Sequence, residues 1–235
     1  MLHKINLQMN KLLPVMIALL CHITANAQTG KFFNNDQLSS SFVTQVYVDR
    51  EGFLWITTRD GINRYDGYQF REFNNQNDAD STLTSNYVNC MVQDSTGRFY
   101  FGMYGALQSW DGSRFHDVSM LNLQGEPSYC YATCLLQRRN GDLIAGTSGL
   151  GVMRFENPQT ARQIGGMLSA LHTVNSMLED SQGRLWMTTD RHGLVCFDGE
   201  RATHYLTMRN DLYGLCEDKE GRIYVGTSNA GVYQQ

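Results

Sequence analysis

The chain has 235 residues, of which 42% are hydrophobic and 11% aromatic, and its formal net charge at pH 7 is −4. That length is enough for one large domain behind a leader sequence. The net charge is slightly negative and the sequence has no cluster of Lys and Arg residues, which argues against nucleic acid as a partner.

The first 27 residues have the pattern of a secretory signal peptide. Lys4 and Lys11 supply positive charge, Leu12 to Ile23 is a short apolar run, and Ala25-Asn26-Ala27 provides small residues at a cleavage site. We therefore expect export and cleavage after Ala27. No later segment approaches 18 consecutive apolar residues, so we expect no membrane span in this chain.

A glycine-centred phrase, mostly of the form D-x-x-G, recurs along the rest of the sequence. Successive copies lie 45, 44, 42 and 38 residues apart, and each copy is followed by a similar apolar run. A period of about 40 residues is typical of β-propeller blades. The five copies are centred on Gly52, Gly97, Gly141, Gly183 and Gly221.

Each copy is predicted to form four consecutive strands, which we name a to d. Strand a is an apolar run such as Val43 to Val48, and the D-x-x-G turn follows because Asp can bond nearby backbone N–H groups and Gly accepts a positive φ. Strand c ends in an aromatic residue and an acid, as in Tyr65-Asp66-Gly67, and Asp-Gly is a strong hairpin signal. Strand b carries Trp55, Tyr100, Ile144, Trp186 or Tyr224.

These features predict an all-β fold, a β-propeller of four-stranded antiparallel blades that spans residues 28–235. One blade cannot bury both of its faces, so neighbouring blades must stack. The segment at 31–33 resembles strand d and is expected to complete the last blade. The five visible blades are either a complete ring or part of a seven-blade one.

The repeat resembles a known family, the two-component regulator propeller. The pattern D-x-x-G-x-[LIF]-[WY]-[IVM]-x-T followed by Gly-hydrophobic-x-x-[YF]-D is best matched at Asp49 to Asp66 and at Asp180 to Asp198. Copy three departs from it, with Arg138 in place of the turn Asp.

This resemblance implies the periplasmic sensor region of a hybrid two-component system, chiefly of the Bacteroidetes type. It further implies an oligosaccharide ligand and a homodimeric arrangement in the intact sensor. The kinase expected in the parent protein is not found in this sequence, so we interpret the chain as a fragment of such a sensor.

Candidate binding residues lie in the b–c connections, which together with the d–a connections should form the upper face of the propeller. Their side chains could hydrogen-bond sugar hydroxyls, and Tyr104 offers a stacking surface; taken singly, each is also compatible with an ordinary solvated loop residue. The candidate ligand-binding residues are Arg59, Asp60, Tyr104, Asp190, Arg191, His192 and Asn229.

No catalytic residue, metal site or cofactor is predicted. The turn acids recur once per repeat, as a structural role demands, and the histidines show no metal-ligand spacing. Two alternatives to a sensor remain open. One is a secreted protein-binding scaffold; the other is an enzyme like the streptogramin lyases, which would require a second functional histidine near His192.

Five cysteines follow the leader, an odd number without a paired C-x-x-C motif. We interpret them mainly as small buried hydrophobic residues, with a single disulfide left open. They are Cys90, Cys130, Cys134, Cys196 and Cys216.

Overall fold

A computed structural model describes residues 37–76 and 82–235, all within the unit Asn35–Gln235. The predicted signal peptide and the predicted strand at 31–33 lie outside the described residues. The described chain is nearly all β, and no helix within it has the length and apolarity of a membrane span.

Five small sheets follow one another along the chain as the five blades of a β-propeller. The first two each contain four antiparallel strands in sequence order. Blade 1 consists of β1 (Val43–Val48), β2 (Leu54–Thr58), β3 (Gly61–Tyr65) and β4 (Phe70–Phe73). Blade 2 consists of β5 (Val88–Gln93), β6 (Phe99–Met103), β7 (Ala106–Trp110) and β8 (Phe115–Asp117).

Blade 4 keeps this plan, whereas blades 3 and 5 vary it. Blade 3 contains β9 (Ser119–Leu121), β10 (Tyr131–Gln137), β11 (Leu143–Ser148), β12 (Val152–Asn157) and β13 (Thr160–Gln163), and is followed by the one-turn helix α1 (Met167–Ala170). Blade 4 contains β14 (Val174–Glu179), β15 (Leu185–Thr189), β16 (Leu194–Phe197) and β17 (Ala202–Tyr205). Blade 5 contains β18 (Leu212–Glu217), β19 (Ile223–Thr227) and β20 (Val232–Gln234).

The predicted four-strand plan is confirmed in blades 1, 2 and 4; blade 3 has one additional strand and is followed by α1, and blade 5 has three strands within the described residues. Strand β9 joins the outer edge of blade 3 in parallel with β13, and α1 precedes strand a of blade 4. Neither has a counterpart in the other copies, so the repeat pattern could not indicate them.

The D-x-x-G turn fixes both the chain reversal and the next strand. In blade 1, Gly52 has φ +88° and its N–H donates to the carbonyl of Asp49. The Asp49 carboxylate accepts from the Phe53 N–H at 2.8 Å and from the Trp55 indole N–H at 2.7 Å. The acid thus closes the turn and anchors the strand-b aromatic ring, which explains why both residue types recur together.

At each of the four interfaces between successive blades, an apolar face of one sheet packs against an apolar face of the next. The first or second residue of strand c in one blade lies in the same buried cluster as the first or second residue of strand a in the next, and each is at most 2% exposed. These pairs are Ile62 with Val88, Leu107 with Ala132, Val152 with Val174, and Leu194 with Leu212.

The two outermost faces of the series lack this cover. Val43, which begins strand a of blade 1, is 41% exposed, and Val46 on the same face is 57% exposed. At the other end, Val232 on strand c of blade 5 is 67% exposed. The residues that are buried at all four blade interfaces are therefore accessible on the first and last blades.

Candidate functional site

The upper face is built around the inner ends of the blades. Strand a of each blade contacts strand a of the next, which places these strands closest to the propeller axis. At their upper ends, the residue after strand b donates its N–H to the residue before strand a, as between Arg59 and Phe42 (3.2 Å) and between Tyr104 and Tyr87 (3.0 Å). Side chains at these paired positions therefore surround the upper mouth of the axis.

In blades 1 to 3 these positions form a continuous stack, which we call the upper aromatic cluster: Phe42, Arg59, Tyr87, Tyr104 and Tyr131. The Arg59 guanidinium lies 3.4 Å from the centre of the Phe42 ring and 5.2 Å from that of Tyr87. Tyr87 stacks parallel to Tyr104 with ring centres 6.3 Å apart, and the Tyr104 ring centre is 4.2 Å from that of Tyr131.

This cluster has the properties of a binding platform. Phe42 is 50% exposed and Tyr104 is 58% exposed, although aromatic rings of this size are ordinarily covered. A hydrogen bond between the hydroxyls of Tyr104 and Tyr131 raises the pKa of Tyr131. The cluster combines flat ring faces, three phenolic hydroxyls and one guanidinium.

Blades 4 and 5 place carboxylates at the same register positions. The Asp190 N–H donates to Thr173, and the Ser228 N–H donates to Asp211. His172 Nδ1 lies 3.8 Å from Asp190 Oδ2, and Arg209 forms a 2.7 Å ion pair with Asp211 that lowers the pKa of this carboxyl. The mouth thus has aromatic rings and a guanidinium on one side, and carboxylates with neighbouring arginines on the other.

The predicted binding residues divide into two groups. Arg59, Tyr104 and Asp190 occupy these inner positions, whereas the remaining four follow them in the b–c connections. Asp60 accepts a 2.8 Å hydrogen bond from the Asn86 amide, and the exposed Arg191 lies 3.7 Å from Asp190. His192 lies against α1 and strand d of its own blade, with Nε2 3.3 Å from the Ala170 carbonyl and a ring centre 5.7 Å from that of His204. Asn229 is exposed.

Three members of the cluster were missed by the sequence analysis. Phe42, Tyr87 and Tyr131 sit immediately before, or at the start of, strand a in three consecutive copies. That recurrence is visible in the sequence once the copies are aligned on their glycines. The predicted site residues all lie in the b–c connections, whereas these three precede or begin strand a.

Within residues 37–76 and 82–235, no group of three His, Cys, Asp or Glu side chains is arranged to hold a metal ion. His172 lies on a d–a connection beside Asp190. All five cysteines of the described chain are free thiols.

Comparison with known proteins identifies the repeat. The family model of the two component regulator propeller matches residues 37–60, 82–105, 169–191 and 209–229. These are two-component regulator propeller repeats. The matched segments run from the d–a connection through the b–c connection of blades 1, 2, 4 and 5. They pass over blade 3, whose turn contains Arg138 in place of Asp.

A curated relative agrees with this assignment. The chain is 46% identical over 50 residues to histidine kinase P4 of Formosa agariphila, a match that spans 21% of this chain and 4% of that protein.

The solved structures show the fold. The extracellular domain of the hybrid two component system BT4673 from Bacteroides thetaiotaomicron superposes with a TM-score of 0.67 and 14% identity over 87% of this chain. The chain spans about a third of that domain (33%). Virginiamycin B lyase from Staphylococcus aureus gives a TM-score of 0.63 and 13% identity, over 86% of this chain and 72% of the lyase. Identities this low relate the chains by fold alone.

Proposed function

We propose that this chain is a non-catalytic, exported ligand-sensing propeller, part of the periplasmic region of a hybrid two-component sensor, and that its ligand is an oligosaccharide. The upper aromatic cluster carries the proposal. Sugar rings present apolar C–H faces that stack on aromatic side chains, while their hydroxyls need hydrogen-bond partners. The cluster supplies the first, and Arg59 with Asp190 supplies the second.

The arrangement of the mouth favours a ligand longer than one sugar. The cluster extends across three blades, and the acidic positions continue around the other two. A chain of several sugar units would contact both sides at once. Signalling in the intact sensor then requires that the ligand bind one arrangement of the homodimer better than another, because equal affinity for both shifts no equilibrium.

The test is a binding screen of the purified chain against a panel of defined oligosaccharides, using thermal shift followed by titration calorimetry. We expect saturable binding of at least one oligosaccharide, and a loss of tenfold or more, about 1.4 kcal/mol, in Tyr104→Ala. Tyr68→Ala is the matched control, since Tyr68 is 95% exposed on the c–d turn of blade 1.

Two results would contradict the proposal. One is the absence of any saturable oligosaccharide binding, which would favour a protein-binding scaffold. The other is turnover of a bound sugar into a new product, which would make the chain an enzyme.

A further inference from the structure

A second site lies between blades 3 and 4, away from the upper mouth. Here the structure contains a cavity of about 440 Å³ close to the D-x-x-G turns. Its apolar wall is formed by Ile144, Ile164, Leu185 and Phe197, and two arginines, Arg138 and Arg154, also line it. An amphipathic cavity of this size is within the range of small-molecule sites, about 300–1,000 Å³.

The cavity occupies the place that an aromatic ring fills between other blades. In blade 1, the Trp55 ring lies 4.6 Å from Phe99 and 5.4 Å from Trp110, which are paired across strands b and c of blade 2. In blade 2, Tyr100 lies 4.9 Å from Phe155, the corresponding strand-c residue of blade 3.

Blade 3 breaks this pattern. The strand-b position that holds Trp55 in blade 1 and Tyr100 in blade 2 is Ile144, and it faces the equivalent pair Leu185 and Phe197 of blade 4. A branched aliphatic side chain is smaller than an indole or a phenol. The missing ring leaves part of the space between the two blades unfilled, and Met167 and Leu168 of α1 also line the resulting cavity.

The turn acid changes together with the ring. Elsewhere this acid accepts a hydrogen bond from the strand-b side chain, as Asp49 does from Trp55. The Ile144 side chain has no polar group to which a turn acid could hydrogen-bond. Copy three has Arg138 in place of that acid. Arg138 instead forms a 2.8 Å ion pair with Glu179 of blade 4, so its charge is already neutralised.

Arg154 is the cation left for a ligand. It pairs with Ile144 across strands b and c, the register position that Arg64 holds opposite Trp55. The Arg64 guanidinium lies 5.6 Å from the centre of the Trp55 ring. Arg154 has no ring beside it, is exposed, and forms no ion pair within residues 37–76 and 82–235.

Two carboxylates also lie at this site, and each is a weak competitor for the Arg154 guanidinium. Asp142 and Glu200 also line the cavity. Asp142 accepts a 3.0 Å hydrogen bond from the Asn140 amide, and Glu200 is exposed on the c–d turn of blade 4. A neutral ring is therefore a better match to the cavity than a multiply charged group.

We propose that this cavity binds a small molecule through a planar aromatic ring of indole size, seated between Ile144 and Phe197 with Arg154 over its face. The ring takes the position of the tryptophan that the third repeat lacks. A dry cavity of about 150 Å³ suffices for benzene. The cavity here has room for a larger ring and one substituent, and the guanidinium adds a cation–π contact.

The experiment titrates indole into the full chain and follows binding by calorimetry, with cyclohexylmethanol as a non-aromatic comparison. We expect saturable binding of indole and at least tenfold weaker binding of the saturated compound. Ile144→Trp restores the repeat's own side chain, fills the cavity and should weaken indole binding tenfold or more. Ile144→Phe replaces it if the tryptophan variant does not fold by circular dichroism.

Two further variants separate this site from its surroundings. Arg154→Ala should weaken indole binding threefold to tenfold, whereas Arg71→Ala, which removes an arginine 4.7 Å from the Phe73 ring in blade 1, should leave it unchanged. Tyr104→Ala should also leave it unchanged, so failure here is distinguishable from failure of the oligosaccharide proposal. Absence of indole binding, or equal binding by wild type and Ile144→Trp, would overturn the inference.

Discussion

The indole N–H of Trp186 donates a 2.8 Å hydrogen bond to Asp180 Oδ2, and neither side chain has significant contact with solvent. The same carboxylate accepts from the backbone N–H and the Nε of Arg184. One acid of the repeat therefore closes its turn, orients an arginine and satisfies the only polar atom of a core ring. This makes the turn acid the residue on which each regular blade most depends.

Replacing Asp180 should be costly. Asp180→Ala leaves the Trp186 N–H buried without an acceptor and removes three further hydrogen bonds. We expect the free energy of unfolding to fall by about 3 kcal/mol, since hydrogen bonds to a charged group and a buried unsatisfied donor each cost on the order of 1–3 kcal/mol. Urea denaturation measures the change. Asp198→Ala, at the exposed c–d turn of the same blade, is the control and should cost clearly less.

Low pH should destabilise the same turns. Burial raises the pKa of Asp218, but hydrogen bonds from Arg222 and Tyr224 outweigh it and lower this pKa from 3.8 to about 2. The pKa of Asp180 is also lowered, because bonds from Trp186 and Arg184 outweigh its burial. Groups with a depressed folded pKa stabilise the protein above their ordinary pKa and lose that contribution as the pH falls.

We therefore expect the urea midpoint to stay constant from pH 7 to about 5 and to fall between about pH 4 and about pH 2. Asp218→Asn should reduce the steepness of this fall. A midpoint that rises on acidification would show that the turn carboxylates do not govern the acid response.

The thiols should differ sharply in reactivity. Burial raises the pKa of Cys130 to about 11 and that of Cys134 to about 12, whereas Cys216 is exposed. Only the thiolate reacts readily. The experiment uses a Cys21→Ser variant, so that only the five later cysteines are counted. Mass spectrometry of iodoacetamide adducts should then show one fast-reacting cysteine in the native protein and five after denaturation. Cys216→Ser should abolish the fast phase.

Strands a and b approach closely where a small residue faces a cysteine. A Cβ added at Gly146 would lie 2.5 Å from Cys134 Sγ and 3.0 Å from Val174 Cγ1. Gly146→Ala should lower the free energy of unfolding by about 1–3 kcal/mol, as overpacking of a filled core does. Adding Cys134→Gly, the arrangement that blade 5 has at Gly214, should recover part of the loss.

The matched control is Gly226→Ala in blade 5. This glycine has the same register position, but the nearest atom to an added Cβ is 3.8 Å away, an ordinary contact. We expect a change well below that of Gly146→Ala in thermal unfolding. Equal losses at the two positions would indicate that the glycine backbone matters rather than the cysteine contact.

The sequence predicted what a single repeat determines and little of what lies between repeats. The turn glycines and apolar runs located β1 to the residue, because turn chemistry and strand alternation are local. The parallel strand β9 and the stacking of Tyr104 on Tyr131 depend on contacts across blades. The repeat pattern also could not predict the cavity beside Ile144, because that pattern accepts any apolar residue at the strand-b position.

The exposed valines of the first and last blades indicate where unfolding should begin. In a stacked array, each unit draws its stability from adjacent units, so a unit with one neighbour frays before a unit with two. Within residues 37–76 and 82–235, Val232 and Val43 are exposed on the blades that pack against one other blade. Amide protons of β20 should accordingly exchange with deuterium long before those of β11, and cooperative melting should begin at the margins and finish at blade 3.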